Sequence, residues 1–290
     1  MWTFDYTAHR AFVAPAAERS QIWRIFVGIT LIIGVFIGAG SLIYQFIFGG
    51  LSLLNMDTDV ANILAFLFNF GAITGGVFTA VFFVHRCRPD IVFGPLRNAI
   101  SHFILVSLGI CILLIGLGVL PPWGFGEPLI SNRLFLPWLL VLPVALFSIL
   151  IQTSAEEILF RGYLQQQLGA RFTSPWIWMA LPSVLFGLAH FDPQSAGENA
   201  WIVVAWATFF GVAMADLTAR AGNLGPAIAV HFVNNITALL IISVPGEFGA
   251  AALYVLPFDM TDVEMMRAWL PVDFATTFAM WLVARLIIRR

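Results

Sequence analysis

The sequence predicts an all-α polytopic membrane protein, a bundle of about eight transmembrane helices. Of its 290 residues, 60% are hydrophobic and only 10% are charged, whereas about a quarter of the residues in a soluble domain are charged. Apolar stretches recur along the whole chain, and about 20 mostly apolar residues suffice for a helix to cross a bilayer. The composition therefore argues against a soluble domain and makes the lipid bilayer the first expected partner.

Eight apolar stretches are the candidate spans. Their bounds are 23–48, 60–84, 99–119, 134–155, 175–191, 200–219, 224–243 and 271–288. Arginines gather on the cytoplasmic side of membrane proteins. With the N-terminus inside, every arginine except Arg133 and Arg267 falls in an inner segment, and most acids fall in outer ones. The predicted topology therefore has both termini in the cytoplasm.

The placement of these stretches divides the chain into three parts. Residues 1–130 are predicted to hold an N-terminal surface segment and three transmembrane helices, residues 131–243 a core of four helices, and residues 244–290 an outer loop and the last helix. The N-terminal segment mixes acids and aromatic residues with arginines, which indicates a short surface helix rather than a secretory signal. In the outer loop, a capping box at 261–264 predicts a short helix that Pro271 stops.

The most informative feature is a pair of adjacent glutamates, Glu156 and Glu157, followed by Arg161 beside an apolar stretch. Adjacent residues on a helix point about 100° apart, so the two carboxylates cannot face one site equally. Glu157 and Arg161 have the i,i+4 spacing of an ion pair, which leaves Glu156 to face a cavity. The structural alternative, in which both acids pair with Arg161 or cap a helix end, does not account for the second glutamate.

Two more apolar stretches carry polar side chains at helical spacing. Phe186 and His190 share one helix face, and so do His231 and Asn235. Polar groups within spans should look into the bundle or a wet cavity. The alternatives are an interfacial histidine and hydrogen bonds between helices that serve packing. The coincidence of these residues with the two glutamates favours a common site.

The other three histidines are not accompanied by polar residues that would form a site with them. His9 lies in the polar N-terminal segment and His85 in an arginine-rich loop, so both are expected to be solvated. His102 is expected at the membrane interface. Asp216 and Arg220, again spaced i,i+4, are expected to pair at the inner end of the sixth span.

These polar residues form three motifs that resemble the signatures of the CPBP intramembrane proteases, which include the type II CAAX prenyl endopeptidases of the Rce1-like, or Abi, family. In chain order the motifs are Glu156-Glu157-x-x-x-Arg161, Phe186-x-x-x-His190 and His231-x-x-x-Asn235. They lie within about residues 134–240. The resemblance implies an enzyme, an intramembrane endopeptidase acting on a membrane-associated protein or peptide.

The resemblance also implies roles for these residues. Glu156 and His190 would hold and activate a water molecule, and His231 and Asn235 would stabilise the tetrahedral oxyanion. The supporting residues would be Glu157, Arg161 and Phe186. Peptide hydrolysis needs such a nucleophilic water, an oxyanion stabiliser and a general acid for the leaving amine.

The need for a metal is left open by the residue types. Glu156, His190 and His231 are an acceptable zinc ligand set with one open position, whereas the His-Glu-x-x-His arrangement of zinc proteases is absent. A glutamate-activated water uses the same residues without a metal, and we favour that version. No other cofactor is expected.

Helical rise sets a geometric condition on the shared site. Counted from the cytoplasmic end, His231 lies about 10 Å into the bilayer and His190 lies deeper, while Glu156 lies towards the inner end of its span. These side chains converge only if the fifth span is short, tilted or recessed. That distortion is predicted.

Two other function classes compete with the protease. A non-catalytic immunity or regulatory partner would use the same fold to bind a protein, and an ion-coupled transporter would also carry ionisable residues in its spans. Absent repeat symmetry counts against the transporter. The composition suggests a multi-pass protein of a bacterial inner membrane, with no nucleic-acid partner. Substrate and oligomeric state are not encoded in these patterns.

Overall fold

The computed structural model describes residues 6–119 and 128–289. The predictions that concern residues 1–5, 120–127 and Arg290 lie outside this part of the chain. Within it, six helices are long and apolar enough to cross a membrane and two apolar helices are shorter. The predicted all-α polytopic fold is confirmed, and the orientation of the termini stays a prediction.

The helices follow one another in the predicted order. After the short helix α1 (Thr7–Val13) the six long helices are α2 (Ile22–Leu53), α3 (Thr58–Val84), α4 (Pro89–Val119), α5 (Phe135–Arg171), α7 (Pro193–Ala221) and α9 (Val263–Ile288), and the two shorter ones are α6 (Trp176–Leu188) and α8 (Gly225–Ile241). Each candidate span is therefore helical. The exposed apolar side chains of the long helices, such as Phe46 and Leu140, supply a surface suited to lipid.

The two shorter helices occupy the places of the fifth and seventh predicted spans. Helical rise makes α6 about 20 Å and α8 about 26 Å long, whereas the hydrocarbon core is about 30 Å thick. Of the distortions predicted for the fifth span, which were that it is short, tilted or recessed, shortness is the one that the helix bounds show. Of the about eight predicted spans, these two are shorter than the six long helices, because a count of apolar residues does not show where helical hydrogen bonding stops.

Helix α5 is much longer than its predicted span, which ended at residue 155. It runs as α-helix through Phe135–Glu157, continues in wider π-helical turns through Ile158–Gln165 and ends at Arg171. Glu156 and Glu157 therefore lie inside a continuous helix rather than near its end. Arg161, which the charge pattern put in a cytoplasmic segment, is buried in the bundle with 1% of its surface exposed.

The N-terminal segment is part of the packed protein. Helix α1 packs against α7 and against the last turns of α5. His9 is buried and its ring stacks on Trp178 at 4.1 Å. His85 is buried too, and its ring nitrogens lie 3.0 Å from the carbonyl oxygen of Arg19 and 3.0 Å from the hydroxyl of Tyr163. The expectation that both histidines are solvated was wrong, because tertiary contacts cover them.

Three short strands from distant parts of the chain form a small sheet before the last helix. Strand β3 (Tyr254–Val255) pairs antiparallel with β1 (Ile130–Ser131) and parallel with β2 (Ile242–Ser243). Helix α9 then begins after Asp262, whose side chain accepts a hydrogen bond from the Met265 amide. It continues past Pro271, so the predicted stop there was wrong. Membrane helices tolerate proline because neighbouring groups satisfy the freed backbone atoms.

Three helix contacts position the polar residues. Helix α8 packs against both α4 and α5, and α6 packs closely along α7. Gly187 and Gly211 permit that approach: a Cβ added at Gly187 would lie 2.1 Å from Thr208 Oγ1, and one at Gly211 would lie 3.0 Å from Ser183 Cα. Any side chain at these two positions would push α6, and with it Phe186 and His190, away from α7.

Candidate active site

Glu157 is the centre of a buried polar cluster. Its Oε1 accepts hydrogen bonds from Arg161 NH1 at 2.9 Å and from His231 Nδ1 at 2.8 Å. The carboxylate has no exposed surface. The i,i+4 pair that the sequence predicts is therefore present, and the same oxygen also joins α5 to α8.

Glu156 lies on the other side of the same histidine. Its Oε2 is 3.5 Å from His231 Nε2, beyond the usual length of an N–H···O bond. This oxygen is buried and forms no hydrogen bond within the described part of the chain. His231 thus lies between two carboxylates, one within hydrogen-bond distance and one beyond it. Each carboxylate keeps one buried oxygen that forms no hydrogen bond in the described part of the chain.

Arg161 is held on three sides. Besides Glu157 it donates from NH2 to the carbonyl oxygen of Gly211 at 3.2 Å, and its guanidinium lies 4.7 Å from the centroid of the Phe186 ring. Cation–π contacts of this kind are stronger when water is excluded. Arginine suits this position because its rigid fork reaches a carboxylate and a carbonyl at once.

Phe186 brings the two histidines to one place. Its ring centroid lies 4.6 Å from that of His190 and 6.1 Å from that of His231. Its carbonyl oxygen accepts a hydrogen bond from His190 Nδ1 at 2.8 Å. With the proton on Nδ1, neutral His190 carries its lone pair on Nε2. His190 is half-buried, and among the described residues it forms no hydrogen bond to Glu156 or His231.

Asn235 is tied to a residue that the sequence reasoning missed. Its Nδ2 donates to Gln152 Oε1 at 2.9 Å, and its Oδ1 accepts from Asn234 Nδ2 at 3.2 Å. Gln152 lies one helical turn before Glu156, as Asn235 lies one turn after His231, so the two helices run antiparallel here. A polar residue four positions before Glu156 in an apolar stretch was the available signal.

Wider helical turns follow both motifs. The π-helical turns of α5 begin directly after Glu157, and those of α8 occupy Thr237–Ile241, just after Asn235. Such turns are frequent at functional sites, since they change the direction of side chains on an otherwise regular helix. No residue pattern in the sequence announces them.

The arrangement of the His, Cys, Asp and Glu side chains shows whether they are grouped so that they could bind a metal ion. Across residues 6–119 and 128–289, no three His, Cys, Asp or Glu side chains are grouped so that they could hold a metal ion. Glu156, His190 and His231 therefore do not form a ready ligand set in this arrangement. The mechanism proposed below does not use a metal ion.

The family comparison agrees with the three motifs. Residues 137–237 match the family model described as type II CAAX prenyl endopeptidase Rce1-like. The chain is also 26% identical over 254 residues to a Bacillus subtilis (strain 168) protein described as "Uncharacterized protein YyaK", an alignment that covers 80% of this chain and 82% of that protein. No solved structure matches. The matched residues contain every member of the cluster, so the part of the chain that carries the cluster is similar to the type II CAAX prenyl endopeptidase Rce1-like family.

Proposed function

We propose that the protein is an intramembrane endopeptidase that hydrolyses a peptide bond of a membrane-associated protein or peptide. The family that residues 137–237 match is a protease family. The observation that carries the proposal is the buried Glu156 Oε2, which lies 3.5 Å from His231 Nε2 and has no hydrogen-bond donor among the described residues. A water molecule bound there would meet a carboxylate positioned to take its proton.

In the proposed mechanism His190 accepts a hydrogen bond from the same water. Its Nδ1 proton is committed to the Phe186 carbonyl, so Nε2 is the atom that can accept a hydrogen bond. Because the Phe186 ring contacts both histidines, the two imidazoles are held on one apolar wall. Glu156 and His190 together orient the attacking oxygen.

The hydrolysis then follows from these positions. The water oxygen bonds to the scissile carbonyl carbon while its proton passes to Glu156, and the carbonyl electrons form an oxyanion. Asn235, whose Nδ2 has a second proton, donates to that oxyanion. As the C–N bond breaks, the proton moves to the leaving amine nitrogen, and His231 Nε2 beside Glu156 assists this transfer.

Glu157 and Arg161 keep this geometry. Glu157 fixes His231 through Nδ1, which sets the direction of Nε2. Arg161 balances the charge of Glu157 and fixes it to α7 and to Phe186. Neither residue needs to touch the substrate for its loss to misplace the histidines by a fraction of an ångström.

The proposal is tested by hydrolysis in vesicles. Purified protein is reconstituted with membrane proteins from source cells that lack its gene, and new peptide termini are quantified by mass spectrometry. Glu156→Gln keeps the side-chain volume and removes the base, so we expect about 10²- to 10⁴-fold slower appearance of the termini. His190→Ala should act alike. A prenylated CAAX peptide, the probe that the family's name suggests, is assayed in parallel.

Three results would overturn the proposal. Equal termini from wild type and Glu156→Gln would mean that the cluster is not catalytic. Cellular phenotypes that persist in the Glu156→Gln variant would instead favour the non-catalytic binding partner. Proton or ion flux that depends on Glu156, without any new termini, would favour the transporter.

The same vesicles decide the metal question. After treatment with a zinc chelator and confirmation of metal content by elemental analysis, we expect the rate to stay within about twofold of the untreated enzyme, because the glutamate and histidine supply the base without a Lewis acid. Loss of the rate on chelation and its return with added zinc would show that Glu156, His190 and His231 bind the ion instead.

A further inference from the structure

We propose that Gln152 is a catalytic residue whose Nε2 donates a hydrogen bond to the oxyanion, an inference that rests on the proposed peptidase function. Gln152 lies on α5 four residues before Glu156, so the two side chains share one helix face. It is buried to 7% exposure. A glutamine buried there has to be matched by polar partners, and those partners define its orientation.

Both ring nitrogens of His231 are close to carboxylate oxygens. His231 Nδ1 is bonded to Glu157 at 2.8 Å and Nε2 faces Glu156 at 3.5 Å. Both nitrogens therefore face carboxylates. The neutral donors of this corner are the side-chain amides of Gln152 and Asn235.

The amides form a chain with one direction. Asn234 Nδ2 donates to Asn235 Oδ1, and Asn235 Nδ2 donates to Gln152 Oε1. Each bond uses the oxygen of the next amide, so the dipoles align and polarise one another. The chain ends at Gln152 Nε2, which carries two N–H groups and donates no hydrogen bond within the described part of the protein.

Gln152, which carries this free donor, lies on the same helix face as the proposed base Glu156, one turn away. In a planar amide the nitrogen lies next to the oxygen that Asn235 holds, and the neighbouring turn of the same helix face carries Glu156. An oxyanion site requires hydrogen-bond donors that already point to the place where negative charge develops, so that no reorganisation is needed during the reaction. Asn235 donates to the oxyanion through the second N–H of its Nδ2. Gln152 donates through the N–H groups of its Nε2, which are more polarised because they end the chain of amides.

The decisive variant is Gln152→Met, which keeps the length of the side chain and removes its amide. The vesicle assay described above supplies the most strongly cleaved protein, which is then purified for kinetics. We expect kcat to fall by about 10²- to 10³-fold with little change in KM, the effect of losing one oxyanion donor. The thermal midpoint in detergent, measured in parallel, checks folding.

A double-mutant cycle with Asn235→Ala distinguishes hydrogen-bond donation by Gln152 from the positioning of Asn235 by Gln152. If Gln152 donates by itself, Gln152→Met lowers kcat further in the Asn235→Ala background. If Gln152 only orients Asn235, the second substitution has no additional effect, and the inference is wrong. Gln152→Glu, which keeps an acceptor for Asn235 and loses the donors, covers the case in which the methionine variant does not fold, and wild-type kcat in that variant also overturns the inference.

The outcomes also separate this inference from the peptidase function. If Gln152→Met cleaves at the wild-type rate while Glu156→Gln is inactive, the proposed role of Gln152 is wrong and the peptidase function still holds. Absence of any terminus specific to the wild-type protein rejects both, since there is then no oxyanion to stabilise.

Discussion

Two buried acid–arginine pairs with the same i,i+4 spacing are built in opposite ways. In the first, the site cluster of Glu156, Glu157, Arg161 and His231, one oxygen of each glutamate has no hydrogen-bond partner among the described residues. In the second, Asp216 and Arg220 on α7, every carboxylate oxygen is bonded. The same sequence pattern therefore gives one satisfied pair and one that keeps accepting capacity.

The satisfied pair belongs to a clamp that holds the N-terminal segment. Arg220 Nε lies 2.8 Å from both oxygens of Asp216. Tyr6 donates to one of these oxygens at 2.8 Å, and Trp281 of α9 donates to the other at 3.0 Å. A buried carboxylate satisfied in this way joins three elements of the fold. We call Tyr6, Asp216, Arg220 and Trp281 the N-terminal clamp.

The difference between these two buried clusters helps to distinguish structural charges from functional ones. Buried polar networks are stabilising when complete, and an incomplete one is costly. Proteins keep such costly groups mainly at functional sites. Substitutions in the two clusters should therefore affect different quantities.

The largest expected effect is on stability at the clamp. Asp216→Asn breaks a buried ion pair and should lower the free energy of unfolding by about 3–5 kcal/mol. Glu156→Gln, the matched removal of a carboxylate at the site, should change it by less than about 1 kcal/mol, because the lost oxygen had no partner to leave behind. Unfolding in detergent by denaturant measures both variants.

The opposite ranking would break the comparison. If Glu156→Gln destabilised the protein as much as Asp216→Asn does, the site cluster would be a structural network and its open oxygens would carry no functional meaning. Peptidase rates measured on the folded fraction of Asp216→Asn should stay near those of the wild type.

A smaller effect is expected from pH at His9, which is buried in helix α1. Burial lowers the pKa of His9 to about 4 in the folded protein, well below its ordinary value. A histidine that binds its proton less readily when folded favours unfolding as the pH falls from its unfolded to its folded pKa. We expect the free energy of unfolding to drop by about 2 kcal/mol between pH 7 and pH 5 through this residue.

His9→Leu isolates this contribution from that of the carboxylates. It keeps the apolar contact with Trp178 and cannot be protonated, so the difference between its pH profile and the wild-type profile belongs to His9. Identical profiles would show that His9 is solvated in the folded protein, as its sequence context suggests.

Much of the site could be predicted because its chemistry is local. The ion pair of Glu157 and Arg161 follows from helical spacing, as does the pairing of Asp216 with Arg220. The three motifs themselves led to the family that residues 137–237 match. The catalytic roles of Glu156, His190, His231 and Asn235 remain predictions.

The rest depended on contacts between distant segments. Gln152 was missed because its partner Asn235 lies 83 residues away in the sequence. His9 and His85 were misjudged for the same reason, since the ring of Trp178 in α6 stacks on His9 and the hydroxyl of Tyr163 in α5 contacts His85.

The sequence by itself determined that this chain is a helical membrane protein with acids, histidines and amides in its apolar stretches, because composition and helical period act within one segment. Only the tertiary structure decided which carboxylate oxygens are satisfied and which are not. Hydrogen bonds and burial depend on what the other helices bring within about 3 Å. Glu156 is distinguished from Asp216 by its surroundings alone, and the proposed chemistry follows from that difference.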